Sequence, residues 1–445
     1  MTIRSGQLRL SIDQCIAIAV FMFPVAFLTV RSGVHVFLLS LVLIALIEFF
    51  RNKSAHFGFS NQDDWILFLT FSGLLIAVLI SQLFRQKIHM AAFDGPSRIL
   101  FAGFVFLLLK TRNIQYINIL AIAIPISLIF VLLKVTLNPL PHASWNGRYA
   151  TYFVDPNTLG SQTFILGLLS LFLIGSIRKA SLPIQFLKLA GGLAGIYISI
   201  HSGSRGAWLV APFILLMMFI IRVGDIYSAN HALRLRMWVH TGIFALLIAL
   251  IFAAIYFLSN TFSTRILSAY GEISNWFLGK DLASSAGTRL GIWTFSFQFA
   301  AESWLFGYGE EKNMMQILQN SPLNTAANEI GINTMALTGP HSDILSKLLS
   351  SGLIGLIAYL ALLGVPFYFF WKNRNAIHGN NKKAARIGMY YIVGVFIAGL
   401  SNEQLSLKYL CTFYGLMIAT LLAQVLYQPT AQFIANKVSH STSRT

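Results

Sequence analysis

Residues 33–50 read GVHVFLLSLVLIALIEFF, an almost unbroken apolar run with one acidic residue near its end. A helix of roughly 17–25 mostly apolar residues crosses the ~30 Å hydrocarbon core of a bilayer. Similar runs recur along the chain, and none shows the weak alternation of a membrane barrel. Because such a run must satisfy its own backbone in lipid, helices are the default. The sequence therefore predicts an all-α polytopic membrane protein.

Composition supports this class. Of the 445 residues, 56% are hydrophobic, 13% are aromatic and only 11% are charged. The mean hydropathy of +0.69 is outside the range of a water-soluble domain of this length. The formal net charge of +17 does not indicate a nucleic-acid partner, because the basic residues fall between apolar runs and not on a soluble domain. They are better interpreted as topology signals and as contacts for anionic membrane lipids or phosphate.

About twelve spans are predicted, and the fourth is the shortest. They cover residues 14–30, 33–50, 64–82, 98–110, 115–134, 158–177, 183–200, 206–221, 239–258, 343–370, 386–402 and 406–427. Residues 1–258 then hold transmembrane helices 1–9, and 343–427 hold helices 10–12. Residues 259–342 form a large periplasmic loop with amphipathic interfacial helices, and 428–445 form a cytoplasmic tail.

The distribution of Lys and Arg predicts the orientation. With a cytoplasmic N-terminus, most basic residues fall in cytoplasmic loops. The opposite loops, outside 259–342, contain only Arg31, Arg85, Lys87, Arg98, Arg148, Arg205 and Lys408. Both termini are therefore predicted to be cytoplasmic. Cations on the outer side run against this bias, so those in 259–342 and its neighbouring loops need a reason to be there.

One reason is chemical. Arginine stays protonated, and its planar fork of donors matches phosphate oxygens, so several arginines near one membrane surface suit a diphosphate group. Arg148, Arg205, Arg265 and Arg289 all fall on the predicted outer side. The alternative is contact with lipid headgroups, or pairing with Asp and Glu.

Residues 201–208, HSGSRGAW, form a very short turn between two predicted spans. Gly203 and Gly206 allow tight backbone geometry, and amides at the start of the next helix favour anions. The turn is thus a candidate phosphate site around Arg205. Equally, Arg205 can be a snorkelling residue in a hairpin turn, with Ser204 capping the helix.

Residues 286–309 are rich in aromatic side chains and read AGTRLGIWTFSFQFAAESWLFGYG. The pattern predicts an amphipathic helix at the membrane interface, with Thr288 as a candidate N-cap and Arg289 in the first turn. Trp293 and the phenylalanines are interpreted as packing residues. Their enrichment is also typical of an interfacial aromatic belt.

His341 follows Gly339 and Pro340 at the entry of the tenth span, where an imidazole can meet both water and an interfacial substrate. Histidine is the usual general base for a hydroxyl. A lone histidine at a helix start is more often a cap or a structural donor. Asp343 can orient the imidazole or pair with Lys347 at i, i+4. Neither a His/Cys/carboxylate set at metal spacing nor an Asp-x-Asp pair is present, which favours a metal-free mechanism.

These residues resemble the motifs of the bacterial O-antigen ligase and polymerase superfamily. The motifs that carry the resemblance are SGSRGAW at 202–208, TRLGIW at 288–293, LFGYG at 305–309, PHSDIL at 340–345 and GLIGL at 352–356, with GRY at 147–149 and DPN at 155–157. The number of spans, the cytoplasmic termini and the large late loop also agree. One departure is visible, because Ser342 stands where this family commonly has Asn.

The resemblance implies metal-independent, inverting transfer of a glycan from undecaprenyl diphosphate to a sugar hydroxyl of lipid A–core at the periplasmic face of the inner membrane. Arg205 and Arg289 would hold the diphosphate leaving group, and His341 would activate the acceptor hydroxyl or help to bind the donor. Four further residues are expected to contact the substrate: Arg265, Arg148, Asn157 and Asp343. No cofactor is implied.

Two alternatives stay open. A polymerase would join lipid-linked repeat units instead of loading lipid A–core, and the motifs separate it from a ligase only slightly. A flippase or another transporter is a different class, for which a large basic outer loop is unusual. Paired broken spans of the kind expected at a midplane transport site are not seen in the sequence.

Overall fold

The computed structural model describes residues 11–51, 59, 61–175, 181–227, 230–280, 284–309 and 339–427. Apart from an isolated bridge between Thr151 and Val154, the regular elements in these ranges are helical. In the first half they are α1 (Ile12–Phe27), α2 (Gly33–Arg51), α3 (Gln62–Phe84), a 3₁₀ turn (Met90–Phe93), α4 (Asp94–Leu109), α5 (Tyr116–Leu137), α6 (His142–Trp145), α7 (Pro156–Phe172) and α8 (Leu182–Ser202).

The second half of the chain contains the remaining eight helices of the described residues. They are α9 (Arg205–Trp208), α10 (Val210–Tyr227), α11 (His231–Leu258), α12 (Asn260–Phe277), α13 (Ser285–Glu302), α14 (Asp343–Lys372), α15 (Gly379–Gly399) and α16 (Lys408–Val425). The tail predicted at 428–445 and residues 310–338 of the predicted loop lie outside the described residues.

Within the described residues, every predicted span overlaps one or two helices. Within the described ranges, eight helical segments are long and apolar enough to cross a membrane, and α1 is a shorter apolar helix. The all-α polytopic fold is thereby confirmed. The eight do not include α7, α11 or α15, so the count of about twelve spans stays a prediction, as do the domain limits.

The centre of the bundle is α16, whose side chains are buried from Leu410 to Val425. It packs against α4 and α15, while α3 packs against α14 and α5 against α8. Outer helices keep large apolar side chains exposed, including Leu39, Leu43 and Phe50 of α2. An apolar surface of this kind is expected where a helix faces lipid tails.

Close packing of α7 on α8 sets the position of the site. A Cβ added to Gly195 would lie only 2.4 Å from the carbonyl oxygen of Thr163, and one on Gly160 would lie 2.1 Å from Ser202 Oγ. Small residues at such contacts let membrane helices approach closely. The start of α7 is therefore held beside the end of α8 and the turn that follows it.

The long loop returns to the bundle through a break in α14. At Gly352 the backbone leaves the helical region, with φ 64° and ψ −156°. There the amides of Tyr308 and Gly309 donate to the carbonyls of Leu349 and Ser350 at 2.7 and 2.9 Å, and the Leu353 amide donates to Trp304 O. The break thus anchors the segment after α13 to a membrane helix.

The amphipathic helix predicted around Arg289 is α13, but its boundary differs from the prediction. Ser284, not Thr288, is the N-cap, because its hydroxyl accepts from the Gly287 amide at 3.2 Å. Arg289 consequently lies in the second turn. Phe295 and Phe299 are buried against Leu349 of α14, whereas Phe297 is exposed. The interpretation of these aromatics as packing residues holds for the buried pair.

Candidate functional site

Four arginines line one small cavity at the end of the bundle where α7 begins. The cavity has a volume of about 100 Å³. Its arginines come from four separate places in the chain: Arg148 before α7, Arg205 in α9, Arg265 in α12 and Arg289 in α13. The remaining walls are Asn157, Gly203, Ser204, Gly206, Ser285, Ser401 and Asn402. We refer to this space as the arginine cavity.

Arg148 is fixed by hydrogen bonds to the neighbouring helices. Its Nε donates to the Ser202 carbonyl at 2.6 Å, and its Nη2 donates to Asn157 Oδ1 at 2.7 Å. Asn157 stands in the first turn of α7, which Asp155 caps by accepting from the amides of Asn157 and Thr158. The predicted contacts Arg148 and Asn157 therefore bind each other and share one wall of the cavity.

Gly203 lies between two of the guanidinium groups. Its φ of +64° is in the left-handed region, and an added Cβ would lie 3.3 Å from Arg148 Nε and 3.5 Å from Arg265 Nη2. A side chain here would be strained and would also crowd both cations. Gly203 therefore allows the two cations to approach the turn from either side.

Arg205 is held by Glu272, a residue that sequence reasoning missed. Its two terminal nitrogens donate to the two carboxylate oxygens at 2.8 and 3.0 Å. The same carboxylate accepts from the Ala286 amide at 2.9 Å. Burial alone would raise the pKa of the Glu272 carboxyl, but hydrogen bonds from Arg205 and Ala286 lower it. The structure thus shows Arg205 paired with a carboxylate, one of the alternatives considered for the outer arginines.

A sequence signal for Glu272 exists. It is the sole acidic residue between Asn260 and Phe277, and it stands seven residues after Arg265. Residues seven apart lie on one face of a helix. Glu272 therefore points to the same side of α12 as Arg265, toward the turn that holds Arg205.

The remaining cations of the cavity form no ion pair within the part of the chain that the structure describes. Within the described ranges, Arg265 and Arg289 make neither an ion pair nor a hydrogen bond, and Glu272 is engaged by Arg205. Burial and the charges of Arg265, Arg289 and Arg205 lower the pKa of Arg148 to about 10, although Asp155 opposes them. Burial and Arg205 likewise lower the pKa of Arg289. Like charges held this close favour the entry of an anion.

His341 lies beside this cluster but does not line the cavity. Burial, followed by the charge of Arg289, lowers the pKa of its imidazole to about 4, although Asp155 raises it. The ring is therefore neutral near pH 7. Its backbone has a φ of +52°, which is uncommon for a residue with a Cβ. Such strain at the start of a helix marks a candidate functional position.

Asp343 faces the interior of the bundle. It is fully buried, and its carboxylate accepts from the amides of Gln404 at 3.0 Å and Leu405 at 2.9 Å. It forms no ion pair with Lys347, so the i, i+4 pairing suggested by the sequence is not present. The carboxylate instead positions the loop between α15 and α16, whose Ser401 and Asn402 line the arginine cavity.

A double-mutant cycle tests how Glu272 acts. If Glu272 serves mainly to orient Arg205, the activity lost in Glu272→Ala should be roughly tenfold, the effect of losing a charge-assisted contact. The double variant Arg205→Ala/Glu272→Ala should then be no worse than Arg205→Ala alone. Fully additive losses would contradict this role and would indicate that Glu272 contributes separately.

The fold and this cavity define a polytopic membrane protein with an arginine-lined cavity at one end of its helical bundle. Residues 190–360 match the family model described as O-antigen ligase. The match includes Arg205, Arg265, Arg289 and His341. Residues 190–360 are thus similar to the domain of this family, which confirms the resemblance drawn from the motifs.

A relative supports the extent of the likeness beyond this segment. The chain is 22% identical over 388 residues to a protein of Haemophilus influenzae (strain ATCC 51907 / DSM 11121 / KW20 / Rd) described as an uncharacterized protein. The alignment covers 85% of this chain and 90% of the relative. The similarity thus extends well outside the matched domain.

Proposed function

We propose that the protein is an O-antigen ligase, which transfers a glycan from undecaprenyl diphosphate to a sugar hydroxyl of lipid A–core at the periplasmic face of the inner membrane. The observation that carries this proposal is the convergence of four arginines on one cavity, with one ion pair, Arg205–Glu272, among them. A diphosphate supplies the negative charge and the oxygen acceptors that such a cluster lacks.

The arginines act on the leaving group. As the bond between the anomeric carbon and the diphosphate oxygen breaks, the electron pair stays on that oxygen. Cations already fixed in a partly dry cavity stabilise this charge without reorganisation. Arg289 and Arg265, which form no ion pair within the described residues, are the groups best able to receive it. Arg148, held by Asn157, supplies fixed positive charge beside them, whereas Glu272 offsets the charge of Arg205.

His341 acts on the acceptor. The acceptor oxygen forms the new bond to the anomeric carbon, and its proton passes to the neutral imidazole. Direct attack from the face opposite the leaving group inverts the anomeric configuration. Arg289 lies close enough to His341 to lower its pKa, so the base and the leaving-group cation belong to one region of the molecule.

The pH dependence of transfer should show the effect of the Arg289 charge on the pKa of His341. The His341 pKa of about 4 in the free protein, below the ordinary 6.5, keeps the base neutral down to acidic pH. The ratio kcat/KM for the donor should therefore lack an acid limb near pH 6.5. A bound diphosphate offsets the charge of Arg289 and thereby raises the pKa of His341. The acid limb of kcat should therefore lie at higher pH than the acid limb of kcat/KM. Steady-state rates between about pH 5 and 8 test this.

Two outcomes would contradict the assignment of His341 as the base. One is an acid limb at the same pH in both parameters. The other is a difference between the limbs that persists in His341→Gln, which lacks the titrating ring and serves as the control.

Reconstitution tests the function itself. Purified protein in liposomes, supplied with a lipid-linked glycan donor, rough lipopolysaccharide and a chelator, should produce glycan attached to lipid A–core. Longer lipid-linked chains formed from the donor alone would identify a polymerase instead. A protein that moves the donor across the bilayer without forming a new glycosidic bond would be a transporter.

A further inference from the structure

A second cavity opens at the same end of the bundle as the arginine cavity. It has a volume of about 260 Å³ and lies between the end of α3, the start of α4, the first turns of α14 and residues 403–408. Five serines line it, Ser81, Ser346, Ser350, Ser351 and Ser406, together with the cation Lys347. We refer to it as the serine cavity. Hydroxyl groups that surround a cation suit a polar, anionic ligand better than a lipid tail.

Of the cations that line the serine cavity, Lys347 alone has neither an ion pair nor a backbone contact among the described residues. It stands in the second turn of a membrane-spanning helix and is only partly exposed. Its Nζ donates to Ser406 Oγ at 3.4 Å, and no carboxylate of the described residues forms an ion pair with it. Its i−4 neighbour, Asp343, is occupied by backbone amides. An ionisable residue in such a segment, without an ion pair among the described residues, indicates a functional site.

The other charged residues that line the serine cavity are two cations and one carboxylate. Lys408 pairs with Asp94 at 2.6 Å. Arg85 donates to the carbonyls of Ser81 and Tyr308, so it holds the returning loop in place. Glu403 is the one carboxylate among the residues that line this space. The lining therefore keeps a net positive charge.

The broken helix supplies a second, independent observation. Gly352, where α14 leaves the helical geometry, directly follows Ser350 and Ser351 of the cavity wall. Irregular backbone in a membrane segment is tolerated where it is buried in protein or lines a water-filled cavity. The break and the serines together form a polar recess inside an otherwise apolar helix.

The loop between α15 and α16 separates the two cavities. Ser401 and Asn402 line the arginine cavity, whereas Glu403, Leu405 and Ser406 line the serine cavity. Asp343, two residues after His341, fixes this loop by accepting hydrogen bonds from the Gln404 and Leu405 amides. A ligand in the serine cavity is thus held across one short loop from the cavity assigned to the donor.

From this arrangement we infer that the serine cavity binds the acceptor, through an anionic group such as a phosphate or a carboxylate on its saccharide, with Lys347 as the cation that receives it. This inference rests on the proposed function, because it assigns the second substrate of the same reaction. It adds a specificity residue that neither the motifs nor the family match identifies.

Lys347→Gln is the discriminating variant, and Lys372→Gln, at the other end of the same helix, is its matched control. Loss of one charge-assisted contact should raise the acceptor KM about tenfold. The donor KM and kcat should stay within about twofold of the wild type. Lys347→Arg, which keeps the charge, should restore most of the acceptor affinity. An unchanged acceptor KM, or an equal rise in both KM values, would overturn the inference.

Direct binding separates this inference from the proposed function. Binding of rough lipopolysaccharide to the protein, without donor, should weaken about tenfold in Lys347→Gln even if the wild type transferred nothing. The same loss with phosphatidylglycerol vesicles would identify a lipid headgroup as the ligand and would overturn the acceptor assignment. Equal binding of lipopolysaccharide by Lys347→Gln and Lys372→Gln would also overturn it.

Discussion

Arg289→Ala is expected to lower glycan transfer by about 10²-fold or more, the effect of removing one fixed donor from a developing anion. Arg289 lines the arginine cavity beside Arg205, and it makes no ion pair within the described residues. Its charge is therefore available to the leaving group and is not offset by an ion pair within the described residues. Transfer is measured with purified donor and acceptor in liposomes, and as surface polysaccharide in a complemented null strain.

The stability of this variant separates a functional role from a structural one. A cation whose pKa is lowered by burial and by Arg205 is unfavourable in the empty protein. The thermal stability of Arg289→Ala without donor should therefore equal or exceed that of the wild type. Lys280→Ala, an exposed cation of the same long loop, is the control and should transfer normally. Near-normal polysaccharide from Arg289→Ala would refute the assignment.

His341→Gln is expected to lower transfer by about 10²-fold or more, the usual contribution of a positioned general base. The amide cannot take the proton of the acceptor hydroxyl, although it can still form hydrogen bonds. Loss of kcat with little change in the donor KM would match proton transfer. Full activity would exclude it, and a rise in the donor KM alone would indicate that His341 binds the donor instead.

His341→Gly is a control that removes the imidazole and suits the backbone conformation at this position. At a φ of +52°, glycine is accommodated without the strain that a Cβ brings. The variant should fold at least as well as the wild type as judged by thermal unfolding, and yet it should lose transfer as His341→Gln does. Substantial unfolding of both variants would instead assign His341 to the structure of the loop.

The relation between sequence and site differs from residue to residue. Arg148, Arg205, Arg265, Arg289 and Asn157 were all expected from the sequence, and they line one cavity. Glu272 was missed, because a single acid on an amphipathic helix has no assigned partner until that helix is placed. Asp343 was expected at the substrate, and the structure turns it toward Gln404 and Leu405. Helical spacing predicted that Asp343 pairs with Lys347 on its own helix. Tertiary packing instead brings the backbone amides of another loop to the carboxylate.

The sequence by itself determined that this chain is an all-α membrane protein with arginines between its apolar runs, because hydropathy and the fixed charge of arginine are local properties. Only the tertiary structure decided which cations share a cavity, which one is neutralised and which ones stay available. The physical reason is that Arg148 and Arg289 are distant in the chain, and close packing of α7, α8 and the loop helices brings them together. The serine cavity follows the same rule, since it exists only where a break in α14 meets α3.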